Sequence, residues 1–170
     1  MSPVLPDTML LSPHFSLWEM THSQTATRLN LDNTPDATAI DALGVLARHI
    51  LEPVRAHFNC PFRPQSAYRS PAVNRAIGGS AKSRHCFGEA ADIVLPRIDN
   101  LALARWIAGN LQFGQLILEF YHTDKPHVGW VHISCRAAHG RNRQQILTAS
   151  RQSKRICYIS GLPDAPIKRD

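Results

Sequence analysis

Two histidines and one aspartate are the residues in this sequence whose types and spacing could do chemistry. His85 and Asp92 lie seven positions apart, and His132 follows forty positions later. Imidazole nitrogens and carboxylate oxygens bind zinc, and a catalytic site with three such ligands leaves the fourth coordination position to water. The metal lowers the pKa of that water to about 7, so hydroxide forms at neutral pH. We therefore expect one Zn2+ ion bound by these three residues. Spacing alone also allows His85 to be a loop histidine and His132 a hydrogen-bonded core residue.

The segment between His85 and Asp92 must bring these two side chains together. Gly88 predicts a turn there, and the small residues that follow it leave room for the backbone to pass close to its neighbours. An apolar strand is predicted for residues 90–95, with the aspartate near its start, and the second histidine falls in a strand predicted for residues 128–134. The three candidate ligands are therefore expected on one loop and two strands.

The rest of the chain places helices before strands. A capping box at residues 16–19 opens a helix to about residue 29, and a cap followed by proline at residues 34–36 starts a second helix, which runs to about residue 58 and should be kinked by Pro53. Further predicted elements are a short helix at 71–77, a helix at 100–111, and strands at 61–66, 115–121 and 145–149. This order indicates an α+β fold, with a small antiparallel sheet packed against the N-terminal helices and the zinc site at the sheet.

The length of 170 residues fits one domain with a sizeable core. We expect a flexible N-terminal arm over residues 1–13, the folded zinc-binding domain over residues 14–150, and an irregular basic C-terminal tail over residues 151–170. No apolar run reaches the roughly 20 residues of a membrane-spanning helix. The N-terminus shows no secretory signal, so we expect a monomer in the cytoplasm that reaches any external target after release.

The charge of the chain bears on its partners. The formal net charge is +6, which favours anionic partners such as an anionic cell envelope. Nucleic acid is also anionic, but no helix-turn-helix, RNA-binding aromatic motif or finger spacing is present. We therefore expect no specific nucleic-acid partner.

The pattern around the candidate ligands resembles the signature of the zinc D-alanyl-D-alanine carboxypeptidase family, which also contains cell-wall endopeptidases and phage endolysins. The residues that carry this resemblance are Ser83, His85, Gly88, Ala90 and Asp92, followed by Trp130, Val131 and His132. Further segments resemble the phage-associated branch of the family, namely residues 15–23, 33–35, 51–55, 66–74 and 77–80. The resemblance implies one zinc ion, an α+β fold with a small antiparallel sheet, and hydrolysis of peptide bonds in peptidoglycan stems. An endolysin-like protein of this kind would leave the cytoplasm through a membrane pore of the holin type.

Three further residues acquire roles from this resemblance. Arg69 matches the arginine of the family, and its guanidinium could hold a substrate carboxylate or stabilise the oxyanion formed during cleavage. Ser83 could hydrogen-bond the substrate or its own loop. Trp130 shares a strand face with His132 and could form a wall of the substrate cleft or pack in the core.

The sequence identifies the general base less clearly than the candidate metal ligands. Many family members carry an acidic residue three positions before the last histidine, where this chain has Gly129. Strand alternation places Glu119 opposite its apolar neighbours, from where it could reach the metal-bound water. His127 is the second candidate, and Asp124 and Glu89 are less favoured. The alternative for Glu119 is a surface pair with an arginine.

Two functions follow from these residues. The favoured one is a zinc metallopeptidase that acts as a D-Ala-D-Ala carboxypeptidase or as a cross-link endopeptidase. The departure at Gly129 supports the alternative, a metal-binding structural or virion-associated module of the same fold without turnover.

Overall fold

The computed structural model describes residues 9–136, 142–153 and 155–164. The helices are α1 (Leu17–Thr21), α2 (Gln24–Leu29), α3 (Ala37–Leu46), α4 (Glu52–Phe58), α5 (Pro71–Ala76) and α6 (Asn100–Asn110). The strands are β1 (Leu10–Ser12), β2 (Phe15–Ser16), β3 (Ala90–Ile93), β4 (Gln115–Glu119), β5 (Trp130–Ser134), β6 (Gln145–Gln152) and β7 (Arg155–Ser160). The predicted α+β class is confirmed. No helix in the described ranges is both long and apolar enough to cross a membrane.

The main sheet has five strands in the order β3-β5-β4-β6-β7. Neighbouring strands run antiparallel, as predicted, except for β4 and β6, which are parallel. The reason lies in where β5 ends, because its last residue, Ser134, pairs with Gln115 at the start of β4. The chain then begins β6 at that same end of β4, with Gln145 beside Gln115. A strand that starts there can only run in the direction of β4.

The described parts of the two predicted terminal segments contain regular strands. The prediction of an irregular tail over residues 151–170 is wrong. β6 continues to Gln152, and β7 follows it as the edge strand of the sheet. Four consecutive apolar or aromatic residues, 156–159, favour a strand here, although basic residues precede them. The N-terminal arm contains β1, which pairs with β2. The remaining parts of these two predicted segments, residues 1–8 and 165–170, lie outside the described residues.

The N-terminal helices follow the predicted signals with three differences. The second helix is capped by Asp36, which follows Pro35, and not by a residue before this proline. The capping box at Ser16 and Glu19 is present, but the helix ends at Thr21 and a new one starts after Ser23, whose hydroxyl accepts the Ala26 N–H. The long second helix is continuous from α3 to α4, through a π-helical turn at Ala47–Leu51. Pro53 follows this turn and has no N–H to donate, so the wider turn takes the place of a sharp kink.

The sheet has one apolar face and one polar face. Leu116 and Leu118 of β4 and Val131 and Ile133 of β5 are fully buried in the main core. Helices α3 and α6 pack against the sheet, although the prediction had named the N-terminal helices alone. Because side chains alternate along each strand, Asp92, His132 and Glu119 project from the opposite face. The predicted strand at 61–66 is wrong, since a single bridge between Ser66 and Asp92 replaces it.

We predict that Gly88→Ala destabilises the protein by about 2–4 kcal/mol. Gly88 has φ of +70°, and a Cβ atom there would lie 2.4 Å from the Ala39 carbonyl oxygen in α3. Urea unfolding monitored by circular dichroism measures the loss. The control is Gly109→Ala in α6, where a Cβ atom meets nothing within 4 Å, and alanine should stabilise the helix by about 0.5–1 kcal/mol. Equal stability of the Gly88 variant and the unmodified protein would contradict the proposed close contact.

Candidate metal centre

Two of the three candidate ligands are direct neighbours across the sheet. Asp92 of β3 and His132 of β5 are paired residues in the antiparallel ladder, so their side chains lie on the same face. The backbone of Asp92 is also held from its other side, where its N–H donates to the Ser66 carbonyl at 2.8 Å and its carbonyl accepts the Gln65 N–H at 2.9 Å. The carboxylate is therefore fixed by hydrogen bonds on both edges of β3.

His85 reaches this pair from outside the sheet. It lies in a 3-10 turn, Arg84–Phe87, that Gly88 ends in a left-handed conformation. Its Nδ1 lies 2.6 Å from the Ala67 carbonyl oxygen. Because a carbonyl can only accept, Nδ1 carries the hydrogen and Nε2 keeps its electron pair. A hydrogen bond of this kind orients a metal-binding imidazole and sets its tautomer.

The three donor atoms form a compact triangle. His85 Nε2 lies 3.2 Å from His132 Nδ1 and 3.2 Å from an Asp92 carboxylate oxygen, and the same oxygen lies 2.9 Å from His132 Nδ1. His85 and Asp92 are buried and His132 is largely so. The two nitrogens and one oxygen face one point and could hold a metal ion, as the spacing in the sequence predicted.

The protonation of the cluster suits metal binding. Burial alone would raise the pKa of Asp92, but His85 and His132 outweigh it and hold this pKa well below its usual value. Burial lowers the pKa of His85, against the opposing effect of Asp92. A carboxylate and a neutral imidazole are the forms in which these side chains bind metals.

Arg69 borders the cluster. Its Nη2 contacts the Asp92 carboxylate and lies 3.0 Å from His85 Nε2, while its Nε donates to the Ser66 hydroxyl at 2.8 Å. The guanidinium therefore lies within reach of any group bound beside the three donors.

A cleft of about 480 Å3 opens over the cluster. It brings together every site residue predicted from the sequence: Arg69, Ser83, His85, Asp92, Glu119, Trp130 and His132. The cleft is also lined by residues that the sequence did not mark as site residues, which are Gly79, Ser80, Lys82, Arg84, Gln115, Arg143 and Tyr158. A strand pattern in β7 was the available signal for Tyr158. The Ala67 carbonyl, which orients His85, has no signal in the sequence, because any residue can supply a backbone oxygen.

Among the four base candidates, Glu119 is the one that lines the cleft. Its pKa is raised, first by burial and then by the negative charge of Asp92, while His132 and Arg69 act in the opposite direction. His127 and Asp124 are exposed on the loop before β5, and the Glu89 carboxylate pairs with Arg84 at 3.0 Å. The structure does not bring these three candidates to the cleft.

Gly129 has a steric reason to lack a side chain. Its φ is +79°, and a Cβ atom there would lie 1.9 Å from the Glu119 carbonyl oxygen. An acidic side chain cannot fit at this position without moving the end of β4. The second carboxylate of the cleft comes instead from Glu119, on the strand that Gly129 approaches.

Trp130 and Ser83 both border the cleft. The Trp130 ring packs edge-on against Phe120 at 5.3 Å between centroids, but neither ring belongs to the main core, so its position is that of a cleft wall. Its Nε1 is buried without a hydrogen-bond partner among the described residues. Ser83 precedes the turn that carries His85, and its side chain does not cap that turn.

A second groove of about 540 Å3 meets the cleft at Arg69, which lines both. Its lining is mostly polar and comes from α1, α2, α5 and the segment before Ser66. The residues are Glu19, His22, Ser23, Gln24, Thr25, Arg63, Pro64, Gln65, Ser66, Arg69, Val73 and Ile77. An extended ligand could therefore continue from the cleft past Arg69.

We predict that Asp92→Asn and His132→Ala abolish tight binding of divalent metal. Each change removes one of the three donors. Calorimetric titration of the metal-depleted protein with Zn2+ measures the binding. Metal at a hundredfold excess over its Kd should stabilise the unmodified protein by about 2.7 kcal/mol. His122→Ala, an exposed histidine outside the cluster, should bind like the unmodified protein. Tight 1:1 binding by either cluster variant would show that the metal lies elsewhere.

One comparison with known proteins identifies the family of the chain. No curated protein sequence matches it. A family model described as Peptidase M15 matches residues 13–134, which include the helices, the three donors, Arg69 and Glu119. The match ends at β5 and leaves β6 and β7 outside it. Since the match spans well over half of the 170 residues and its residues build the metal cluster, the chain belongs to the peptidase M15 family.

Proposed function

We propose that this protein is a zinc-dependent peptidase that cleaves peptide bonds in the stems and cross-links of bacterial peptidoglycan. The observation that carries the proposal is the triangle of donor atoms from His85, Asp92 and His132, with Glu119 and Arg69 beside it in one cleft. A metallopeptidase needs a metal site open on one side, a base for water and a positive group for the substrate. This cleft contains residues suited to all three tasks.

Zinc is the metal that this donor set favours. Tetrahedral zinc with ligands at 2.0–2.1 Å has neighbouring ligands about 3.3 Å apart. The donor–donor distances of 2.9–3.2 Å are close to that value and need little adjustment. Two imidazoles and a carboxylate also match the ligand set of catalytic zinc sites, which keep a fourth position open.

The residues around the three donor atoms have separate roles in the proposed hydrolysis. When bound, zinc supplies a Lewis acid that polarises the carbonyl group and acidifies water. Glu119 takes a proton from the attacking water and gives it to the nitrogen of the leaving amine, so the peptide bond is replaced by a carboxylic acid and an amine. The raised pKa of Glu119 suits a group that first takes a proton from water and then gives it to the leaving amine. Arg69 holds the oxyanion or a neighbouring carboxylate of the substrate.

The charges around the cleft support an anionic peptide as substrate. Arg69, Lys82 and Arg143 line it in addition to the metal ligands, and peptidoglycan stems carry free carboxylates. The groove beyond Arg69 leaves space for the chain on the far side of the scissile bond. This space favours a cut within a longer, cross-linked peptide over the removal of a single terminal residue.

We extend the proposal to an endolysin-like role at the cell wall of a host bacterium, after release from the cytoplasm. Its support is the resemblance of residues 15–23 and 66–74 to the phage-associated branch of the family. The net charge of +6 would also attract the protein to an anionic envelope.

We predict that the purified protein digests isolated peptidoglycan and that a chelator stops the reaction until Zn2+ is restored. Mass analysis of the released muropeptides measures both the activity and the bond, because each cut adds one water and frees defined ends. Cross-linked dimers should disappear before terminal alanine is released. Full activity in excess chelator would rule out metal catalysis, and intact peptidoglycan after treatment with zinc-loaded protein would favour a module without turnover.

We predict that Glu119→Gln lowers kcat by about 10²–10⁴-fold while zinc binding stays intact. The amide keeps the shape of the side chain but cannot take a proton from water. Peptide hydrolysis is measured together with the zinc content of the variant. The control is His127→Gln, the second candidate from the sequence, which should keep normal activity because it is exposed away from the cleft. Loss of activity in the His127 variant with retention in the Glu119 variant would reverse the assignment.

A further inference from the structure

The hairpin of β6 and β7 brings a residue to the cleft from outside the part of the chain that matches the peptidase M15 family. Glu119 of β4 pairs with Ala149 of β6, and Ala149 pairs with Tyr158 of β7. Paired residues in neighbouring strands project from the same face of a sheet. Glu119 and Tyr158 therefore point into the same space, two strands apart.

The residue between them is small. Ala149 is buried and contributes a single methyl group, which leaves the space above it open. Two strand spacings amount to about 9.5 Å between backbones, a distance that a glutamate and a tyrosine can largely bridge with their side chains. Tyr158 is 55 % exposed, yet it lines the cleft together with Glu119 and the metal ligands. Its phenol is therefore available to a molecule in the cleft.

The chemistry of this phenol is that of a hydrogen-bond donor. Burial and the nearby Glu119 carboxylate raise the pKa of Tyr158, so the hydroxyl keeps its proton at neutral pH. A peptide in extended form presents a carbonyl oxygen about every 3.3 Å along its length. A peptide placed for attack by water beside Glu119 would thus offer an acceptor to Tyr158.

We propose that Tyr158 is a substrate-binding residue, which donates a hydrogen bond from its hydroxyl to a carbonyl or carboxylate oxygen of the peptide in the cleft. This inference rests on the proposed function of the cleft. It assigns the C-terminal hairpin a part in substrate selection that the matched region, residues 13–134, does not contain. Arg143, on the segment that leads into β6, lines the same cleft and adds positive charge beside it.

The test is Tyr158→Phe, which removes the hydroxyl and keeps the ring. We expect KM for a soluble cross-linked stem peptide to rise about three- to tenfold, which corresponds to the loss of one hydrogen bond, with kcat changed by less than about twofold. Because an altered KM can also have kinetic causes, binding of the uncleaved peptide is measured by calorimetry in the Glu119→Gln background. There the added Tyr158→Phe change should weaken binding by a similar factor.

Two controls separate this role from a structural one. Ile159→Ala changes the next residue, which is exposed and projects from the other face of β7, and it should leave KM unchanged. The Tm and the zinc affinity of Tyr158→Phe should equal those of the unmodified protein. If the unmodified protein cleaves the peptide and Tyr158→Phe shows the same KM and the same peptide affinity, the inference is wrong although the proposed function stands. If the unmodified protein neither binds nor cleaves the peptide, the proposed function itself fails.

Discussion

The register of β3 against β5 places Asp92 directly opposite His132, and the candidate site depends on this pairing. Side chains alternate between the two faces of a strand, so a slip of one residue would turn one of the two ligands towards the helices. β5 lies between β3 and β4 and is held on both edges, which makes such a slip costly. The bridge from Ser66 to Asp92 secures the outer side of β3 as well. His85 then needs one further hydrogen bond, to the Ala67 carbonyl, to turn its free nitrogen towards the pair.

The second constraint is electrostatic. A buried carboxylate without compensation is costly, and Asp92 is compensated by the Arg69 guanidinium and by its contact with Nδ1 of His132. Glu119 lies in the same cleft but in a different environment, where burial and the charge of Asp92 raise its pKa. Environments that push the pKa values of two carboxyl groups apart commonly separate their roles. Here the pKa of Asp92 is lowered and that of Glu119 is raised, as the proposed roles of ligand and general base require.

The sheet connects these features to the rest of the protein. Its apolar face is covered by α3 and α6, and its polar face carries the cluster, Glu119 and Tyr158. Two glycines permit backbone contacts that a side chain would block. Gly88 approaches α3 behind the turn of His85, and Gly129 approaches the end of β4 beside Glu119. A side chain at position 129 would collide with the end of β4, and the cleft has its second carboxylate at Glu119 instead.

The sequence by itself indicated the α+β class, the three candidate metal ligands and the position of Arg69 beside them. The fold class depends on the order of helices and strands, while the candidate ligands and Arg69 depend on residue types and on motifs that resemble those of a known family. The sequence also identified Glu119 through strand alternation, while leaving His127 as a rival. Only the tertiary structure shows that Glu119 lines the cleft and His127 does not, because this depends on the pairing of β4 with β5 and on the course of the loop before β5. The parallel direction of β6 and the position of Tyr158 beside Glu119 likewise arise from contacts between segments far apart in the chain, which no local pattern predicts, although the apolar residues of β7 do favour a strand.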